Sequence, residues 1–325
     1  MIHGEEGQGK GGGTLELRAT PGGGGFGGDG GWIINSHSRT GGAAYGNLAL
    51  ALEGGSGGGS HFTRTTNNDP TVYRGGGGGG CVAIAAGGQL RVSGAILANG
   101  GKGAGSGRGY YPNGGGGSGG GILLSGQRLI ITGTISAKGG DSADRSPTGG
   151  AGGGGGHILL HVPELVPEEL ALTGNFDVSG GIGLRCAPSF WPDGEEGRLL
   201  LQADHTIIPA GQRLTMKANP DRIEISPGRF INIVTGNWQI ESGGELILTR
   251  SPKALASFYT PVVLKGGTLT CSDAVHLFDI PVTGWGTIAA DVVLYDAIIT
   301  GIEGEIRITG YIHCYGCTLT NVVNP

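Results

Sequence analysis

Charge is scarce in this chain of 325 residues: 21 Lys and Arg stand against 26 Asp and Glu, for a net charge of −5. No basic stripe gathers the cations, which argues against nucleic acid as a partner. No apolar run approaches the ~20 residues that a membrane-spanning helix needs, so no membrane span is expected. Strong helix formers are thinly spread, and no segment keeps a helical period beyond about two turns. The residues after Met1 (Ile2-His3-Gly4-Glu5-Glu6) do not read as a secretory signal, so an external protein would have lost its signal or left by another route, such as cell lysis. Nucleotide chemistry is also unsupported. The glycine runs lack the Lys-Ser/Thr ending of a phosphate loop, and no nucleophile elbow or zincin motif occurs.

Cysteine is sparse and odd in number: Cys81, Cys186, Cys271, Cys314 and Cys317. Such a set is not a disulfide framework. Cys314 and Cys317 have metal or redox spacing, but no second pair completes a four-ligand zinc site. Because strand residues alternate between faces, the two are expected to be separate, ordinary thiols. No cofactor and no metal are expected.

What is abundant is glycine, with 74 residues. Collagen is excluded, because the glycines come in runs and not at every third position. The distribution is uneven: 58 lie in residues 1–181 and 16 in residues 182–325. A boundary near residue 197 divides a glycine-rich part, 1–197, from a glycine-poorer part, 198–325.

The first part is repetitive. Gly94-Ala95-Ile96-Leu97-Ala98-Asn99-Gly100-Gly101 aligns with Gly133-Thr134-Ile135-Ser136-Ala137-Lys138-Gly139-Gly140 and with Gly174-Asn175-Phe176-Asp177-Val178-Ser179-Gly180-Gly181, at steps of 39 and 41 residues. A weaker copy ends at Gly55. A second element precedes the copies: Val82-Ala83-Ile84, Ile122-Leu123-Leu124, Ile158-Leu159-Leu160 and Leu199-Leu200-Leu201. Each unit reads as a strand, a tight turn, a second alternating strand and a glycine-rich excursion. A unit this short cannot bury its apolar face alone, and stacked copies can. The expected fold class is all-β. It is a parallel β-helix or solenoid with polyglycine II-like repeats in the N-terminal half, continued by shorter coils over 198–325. A sandwich is the alternative.

The glycine runs Gly75–Gly80, Gly114–Gly117 with Gly119–Gly121, and Gly152–Gly156 admit two readings. One is flexible loops. The other is extended threefold segments packed side by side, their N–H and C=O groups bonded between neighbours. The run Gly119-Gly120-Gly121-Ile122-Leu123-Leu124, followed by Gly133-Thr134-Ile135-Ser136-Ala137-Lys138-Gly139-Gly140, resembles the glycine-rich repeat proteins of bacterial surfaces. It is also similar to phage tail-fibre adhesins with polyglycine sandwiches. The resemblance covers roughly residues 11–201. It implies a glycine scaffold that projects receptor-recognising loops.

The repeats differ most in their excursions, at 61–74, 102–113, 141–147 and 182–193. Aromatic planes pack on sugar faces, and Asn, Asp or Arg can bond sugar hydroxyls. The candidate ligand-binding residues are therefore Phe62, Arg64, Tyr73, Tyr110, Tyr111, Asn113, Phe190, Trp191 and Asp193, with core-edge packing as the alternative role of each. Many β-helices cleave polysaccharides with paired carboxylates. Asp193, Glu195 and Glu196, Asp204, and Asp221 with Glu224 are the candidates for that, although charged loop residues are usually just solvated. No catalytic residue is assigned.

These readings give three functions in order: a structural and adhesive virion protein of the tail-fibre or spike type, a bacterial surface or filament protein, and a polysaccharide-degrading enzyme. The expected location is the virion or the cell surface. The expected partners are other copies of the chain or another virion or surface protein, met through the ends of the solenoid, and a cell-surface glycan.

Overall fold

A computed structural model describes residues 7–14, 21–32, 41–48, 50–64, 70–105, 113–143, 149–166, 171–183, 193–217, 222–225, 229–249, 256–258 and 260–325. Among them there are strands and turns and no helix.

A hairpin of β1 (His61–Arg64) and β2 (Pro70–Tyr73) stands apart as an antiparallel pair. Three layers of three strands follow. The first layer is β3 (Cys81–Ala85), β4 (Gln89–Val92) and β5 (Ala95–Leu97). The second is β6 (Gly121–Ser125), β7 (Arg128–Ile131) and β8 (Thr134–Ser136). The third is β9 (His157–Leu165), β10 (Ala171–Leu172) and β11 (Asn175–Asp177). Each strand pairs in parallel with its counterpart in the next layer: Val82 with Ile122 and Ile122 with Ile158, Leu90 with Leu129, and Ile96 with Ile135 and Ile135 with Phe176. Alternating apolar residues put every second side chain inward, as period two requires. Ile122, Leu124, Leu129, Ile131 and Ile135 are fully buried.

The sheet begun by β3, β6 and β9 runs on through β12 (Arg198–Ile208). After β12 come β13 (Arg213–Lys217), β14 (Arg222–Ile225), β15 (Arg229–Thr235), β16 (Trp238–Glu241), β17 (Glu245–Thr249) and β18 (Ala256–Phe258). The last group is β19 (Val262–Phe278), β20 (Pro281–Tyr295), β21 (Ile298–Ile308), β22 (Ile312–Tyr315), β23 (Thr318–Thr320) and β24 (Val322–Val323). The long strands β19 and β20 bend where glycine takes a left-handed φ that other residues rarely adopt, at Gly266 (85°) and Gly284 (101°). One apolar cluster extends from Val92 to Ile308, with Trp238, Leu264, Ile288 and Ile306 inside it. Each such side chain contributes about 1.5–3 kcal/mol on leaving water.

This organisation corrects the expectation of a parallel β-helix or solenoid. The strands assemble into one sixteen-stranded, mostly parallel sheet, two three-stranded parallel sheets and the β1–β2 hairpin, and no closed coil is indicated. Antiparallel pairs β13–β14 and β14–β15 interrupt the parallel order. A solenoid repeat touches only its neighbours. Here residues 24–31 bond to Gly116, Gly152, Gly155 and Glu195, far along the chain. The glycine-rich segments, expected as polyglycine II-like repeats of such a coil, instead form a bundle beside the sheets.

The bundle is ordered. Every backbone N–H from Asn113 to Gly121 donates a hydrogen bond. Gly114, Gly117 and Gly120 donate to Ala104, Gly101 and Ala98; Gly115 and Ser118 to Gly59 and Ser56; Gly116 and Gly119 to Ala151 and Gly154. Partners change every residue and return every third, so one extended segment is bonded to three neighbours. Side chains cannot enter: a Cβ on Gly119 would lie 1.9 Å from the carbonyl oxygen of Ala137, and one on Gly117 2.1 Å from that of Gly77.

Candidate loop-bearing surface

The glycine bundle has one end from which the excursions leave. Segments reach that end at Thr14, Trp32, Ser60, Ala104, Ala143 and Gly183, and return from it at Pro21, Gly41, Gly75, Asn113, Gly149 and Asp193. Their feet are tied to one another. Ala104 N–H donates to Arg74 O, Gly114 N–H to Ala104 O, Gly103 N–H to Asp141 O, and Ser142 N–H to Ile182 O. Gly22 N–H donates to Thr14 O, Gly59 N–H to Gly22 O, and Gly31 N–H to Gly152 O. The Gly75 amide donates to the Ser60 hydroxyl at 3.1 Å. Six excursions therefore start and finish on one face.

The sequence candidates divide accordingly. Tyr110, Tyr111, Phe190 and Trp191 lie outside the described residues, as do the side chains of Phe62 and Arg64, whose backbones form β1. Tyr73 closes the hairpin opposite His61 and is half-buried. Asn113 is fully buried and works on the foundation. Its side-chain amide donates to Ala143 O at 2.9 Å and its backbone N–H to Gly149 O, which joins the feet of two excursions. Asp193 is exposed, and its carboxylate accepts the Gly183 amide at 2.8 Å, closing the base of the 184–192 segment. Asn113 and Asp193 thus have structural partners at the bases of the excursions.

Among the carboxylates considered for catalysis, Glu195 and Glu196 are exposed, and Asp221 lies outside the described residues, as does the side chain of Glu224. Asp204 stands 3.8 Å from His161 Nε2, and His161 Nδ1 is 3.0 Å from the Ser125 hydroxyl. This Ser-His-Asp row lies across neighbouring parallel strands, where acyl transfer would also need free amides aimed at a developing oxyanion. The adjacent N–H groups of Gly126 and Ala86 already donate to His161 O and Ser125 O. No group of three or more His, Cys, Asp or Glu among the described residues is arranged to hold a metal ion.

The C-terminal strands carry features that the repeat reading passed over. Phe278, Tyr295 and Tyr315 stand in register on β19, β20 and β22, their rings nearly parallel at centroid distances of 4.7 and 5.1 Å. The signal was present as Leu277-Phe278-Asp279, Leu294-Tyr295-Asp296 and Cys314-Tyr315-Gly316. Cys314 and Cys317, expected as separate thiols, form a disulfide, with Cα atoms 5.5 Å apart. The alternation of a regular strand does not hold between them, because Gly316 turns the chain at φ 78°.

No family model matches this chain, and neither does any curated protein or solved structure.

Proposed function

We propose that this is a structural and adhesive protein of a virion or cell surface, in which the glycine bundle is a rigid platform for binding loops. The observation that carries the reading is the mutual hydrogen bonding of the excursion feet at one end of the bundle. Loops rooted on a common rigid base can act as one surface, and the ordering entropy of that base does not have to be met during binding. The excursions hold aromatic residues beside Asn, Asp and Arg, the side chains that stack on sugar rings and bond their hydroxyls, so the proposed ligand class is a cell-surface glycan. Placement on a virion of the tail-fibre type rests on the resemblance of the glycine repeats.

Replacement of 106–112 and 184–192 by Gly/Ser segments of equal length tests this. Fluorescently labelled full-length chain is applied to bacterial cells and to immobilised surface polysaccharides. The expected outcome is loss of binding with an unchanged melting temperature. Undiminished binding by the loop-replaced chain would refute the reading. Release of new reducing ends from the same polysaccharides would favour an enzyme instead.

A further inference from the structure

Four glycine layers in the bundle repeat one geometry, and the first of them is incomplete. A Cβ on Gly194 would meet the carbonyl oxygen of Gly153 at 2.0 Å, one on Gly153 that of Gly117 at 2.0 Å, and one on Gly117 that of Gly77 at 2.1 Å. A Cβ on Gly77 would meet nothing within 4 Å. A second column repeats this from Gly197 through Gly156 and Gly120 to Gly80, and a third from Gly174 through Gly133 to Gly94. Gly80 and Gly94 also face open space. In the inner layers, glycine is demanded by backbone from the layer before. At 77, 80 and 94 no described residue makes such a demand.

The hydrogen bonds stop at the same place. Gly117, Gly153 and Gly194 donate to the carbonyls of Gly101, Gly140 and Gly181, and Gly120, Gly156 and Gly197 to those of Ala98, Ala137 and Val178. The equivalent amides of Gly77 and Gly80 have no acceptor among the described residues. The carbonyls of Gly115 and Ser118 accept from Gly76 and Gly79, whereas the equivalent carbonyls of Gly75 and Gly78 accept from none of the described residues. The strands agree. Among the described residues β3, β4 and β5 each pair on one side only, and Val82, Ile84, Leu90 and Ile96 are half-exposed where their register partners Ile122, Leu124, Leu129 and Ile135 are fully buried.

We propose that this first layer is an interface at which a second copy of the chain docks end to end. The missing partner must offer carbonyls and amides three residues apart and no side chain between them. The identical layer of another copy offers both, at Gly75 and Gly78 and at Gly77 and Gly80. Opposed chain directions are no obstacle, since Gly117 and Gly120 already bond an antiparallel neighbour at Gly101 and Ala98. An isologous pair of this kind closes on itself and ends as a dimer. The charged residues of the layer, Arg74, Arg91 and Lys102, are exposed and all basic, so added salt should tighten the pair by screening like charges. The inference does not depend on the adhesive reading, because it rests on the open backbone of this layer and not on what the loops bind.

The test is the doubly substituted full chain, Gly77→Val with Gly80→Val. A Cβ at either position meets nothing within 4 Å, so the circular dichroism spectrum should not change, and the melting temperature should match that of the wild-type chain diluted to its monomer, lower than that of the dimer. Sedimentation equilibrium should give the wild-type chain twice the monomer mass of 32.6 kDa and the variant the monomer mass alone. A monomeric wild-type chain at high concentration would overturn the proposal, and so would a variant that still dimerises. Weakening of the dimer by salt would point to an acidic partner surface and would also overturn same-face docking. Gly94→Val provides a second variant at a separate column, with the same expected loss of dimer.

Discussion

The glycine bundle and the strands of residues 198–325 solve one problem by opposite means. Both must satisfy backbone polar groups away from water. In the sheets, ladder bonds do this in one plane, and side chains such as Leu264, Ile288 and Ile306 fill the space between planes. In the glycine runs of the bundle there are almost no side chains to fill space, so the backbone itself is the packing surface, bonded to three neighbours in turn. The sheets therefore depend on what side chains contribute, and the bundle on what their absence allows. A missing methylene harms the first, and an added one harms the second.

The sharpest way to break this comparison is Gly117→Val. Its Cβ meets backbone at 2.1 Å, and backbone bonded on several sides cannot shift aside as a flexible side chain can. The expected cost is about 3 kcal/mol or more, the upper end for overpacking, read as loss of the cooperative thermal transition. Set beside Gly77→Val, in the same column one layer earlier, it separates two glycines that look alike in the sequence. The opposite change belongs to the sheets. Leu264→Ala deletes a fully buried side chain and should cost about 2–5 kcal/mol, read from the shift in urea midpoint.

The sequence showed some of this organisation and hid the rest. Aligned copies predicted which strands pair. Ala95, Thr134 and Asn175 do sit in register, because alternating apolar residues allow only one facing without exposing the core. The glycine runs were legible as backbone packing surfaces for the same reason that they lack larger residues. Which run touches which was not legible. Gly27 bonds to Gly155 and Gly31 to Gly152, and a bare backbone carries no side-chain code for such partners. Asn113 read as a ligand group because its type suits sugars, yet only its neighbours reveal that it ties Ala143. The ring stack was missed because Phe278, Tyr295 and Tyr315 follow one another at 17 and 20 residues, outside the 39–41 residue spacing that organised the reading.

A weaker contrast is set by pH. His157 is buried where the bundle meets β9. Its Nε2 lies 3.1 Å from Tyr45 O, Phe26 packs edge-on at 4.7 Å, and Nδ1 has no partner among the described residues. Burial pushes its pKa below the ordinary 6.5, and Arg198 pushes the same way, against the Tyr45 and Phe26 carbonyls and Glu53. The folded state therefore takes up this proton later than the unfolded state as pH falls. Stability from this site is complete above about pH 6.5 and declines below it. Hydrogen exchange should show residues 21–32 and 41–48 opening more readily at pH 5 than at pH 7, while the amides of β19–β21 respond less. His157→Gln should flatten that difference.

The smallest effect is expected at the far edge of the sheets. Tyr315 ends the ring stack and keeps 58% of its surface exposed, so its removal leaves no enclosed cavity. What Tyr315→Ala does remove is one face-to-face ring contact, at 5.1 Å and 8° from Tyr295. Aromatic pairs contribute about 0.5–1.5 kcal/mol beyond area burial, and solvent on the outer face argues for the lower half of that range. Thermal melting should register the loss as a small shift. The variant Tyr315→Phe keeps the ring and should keep the stability, since the stack uses the ring and not the hydroxyl. If Tyr315→Ala were as damaging as Leu264→Ala, the edge would be as tightly built as the interior of the sheets, and side-chain burial would not be what distinguishes them.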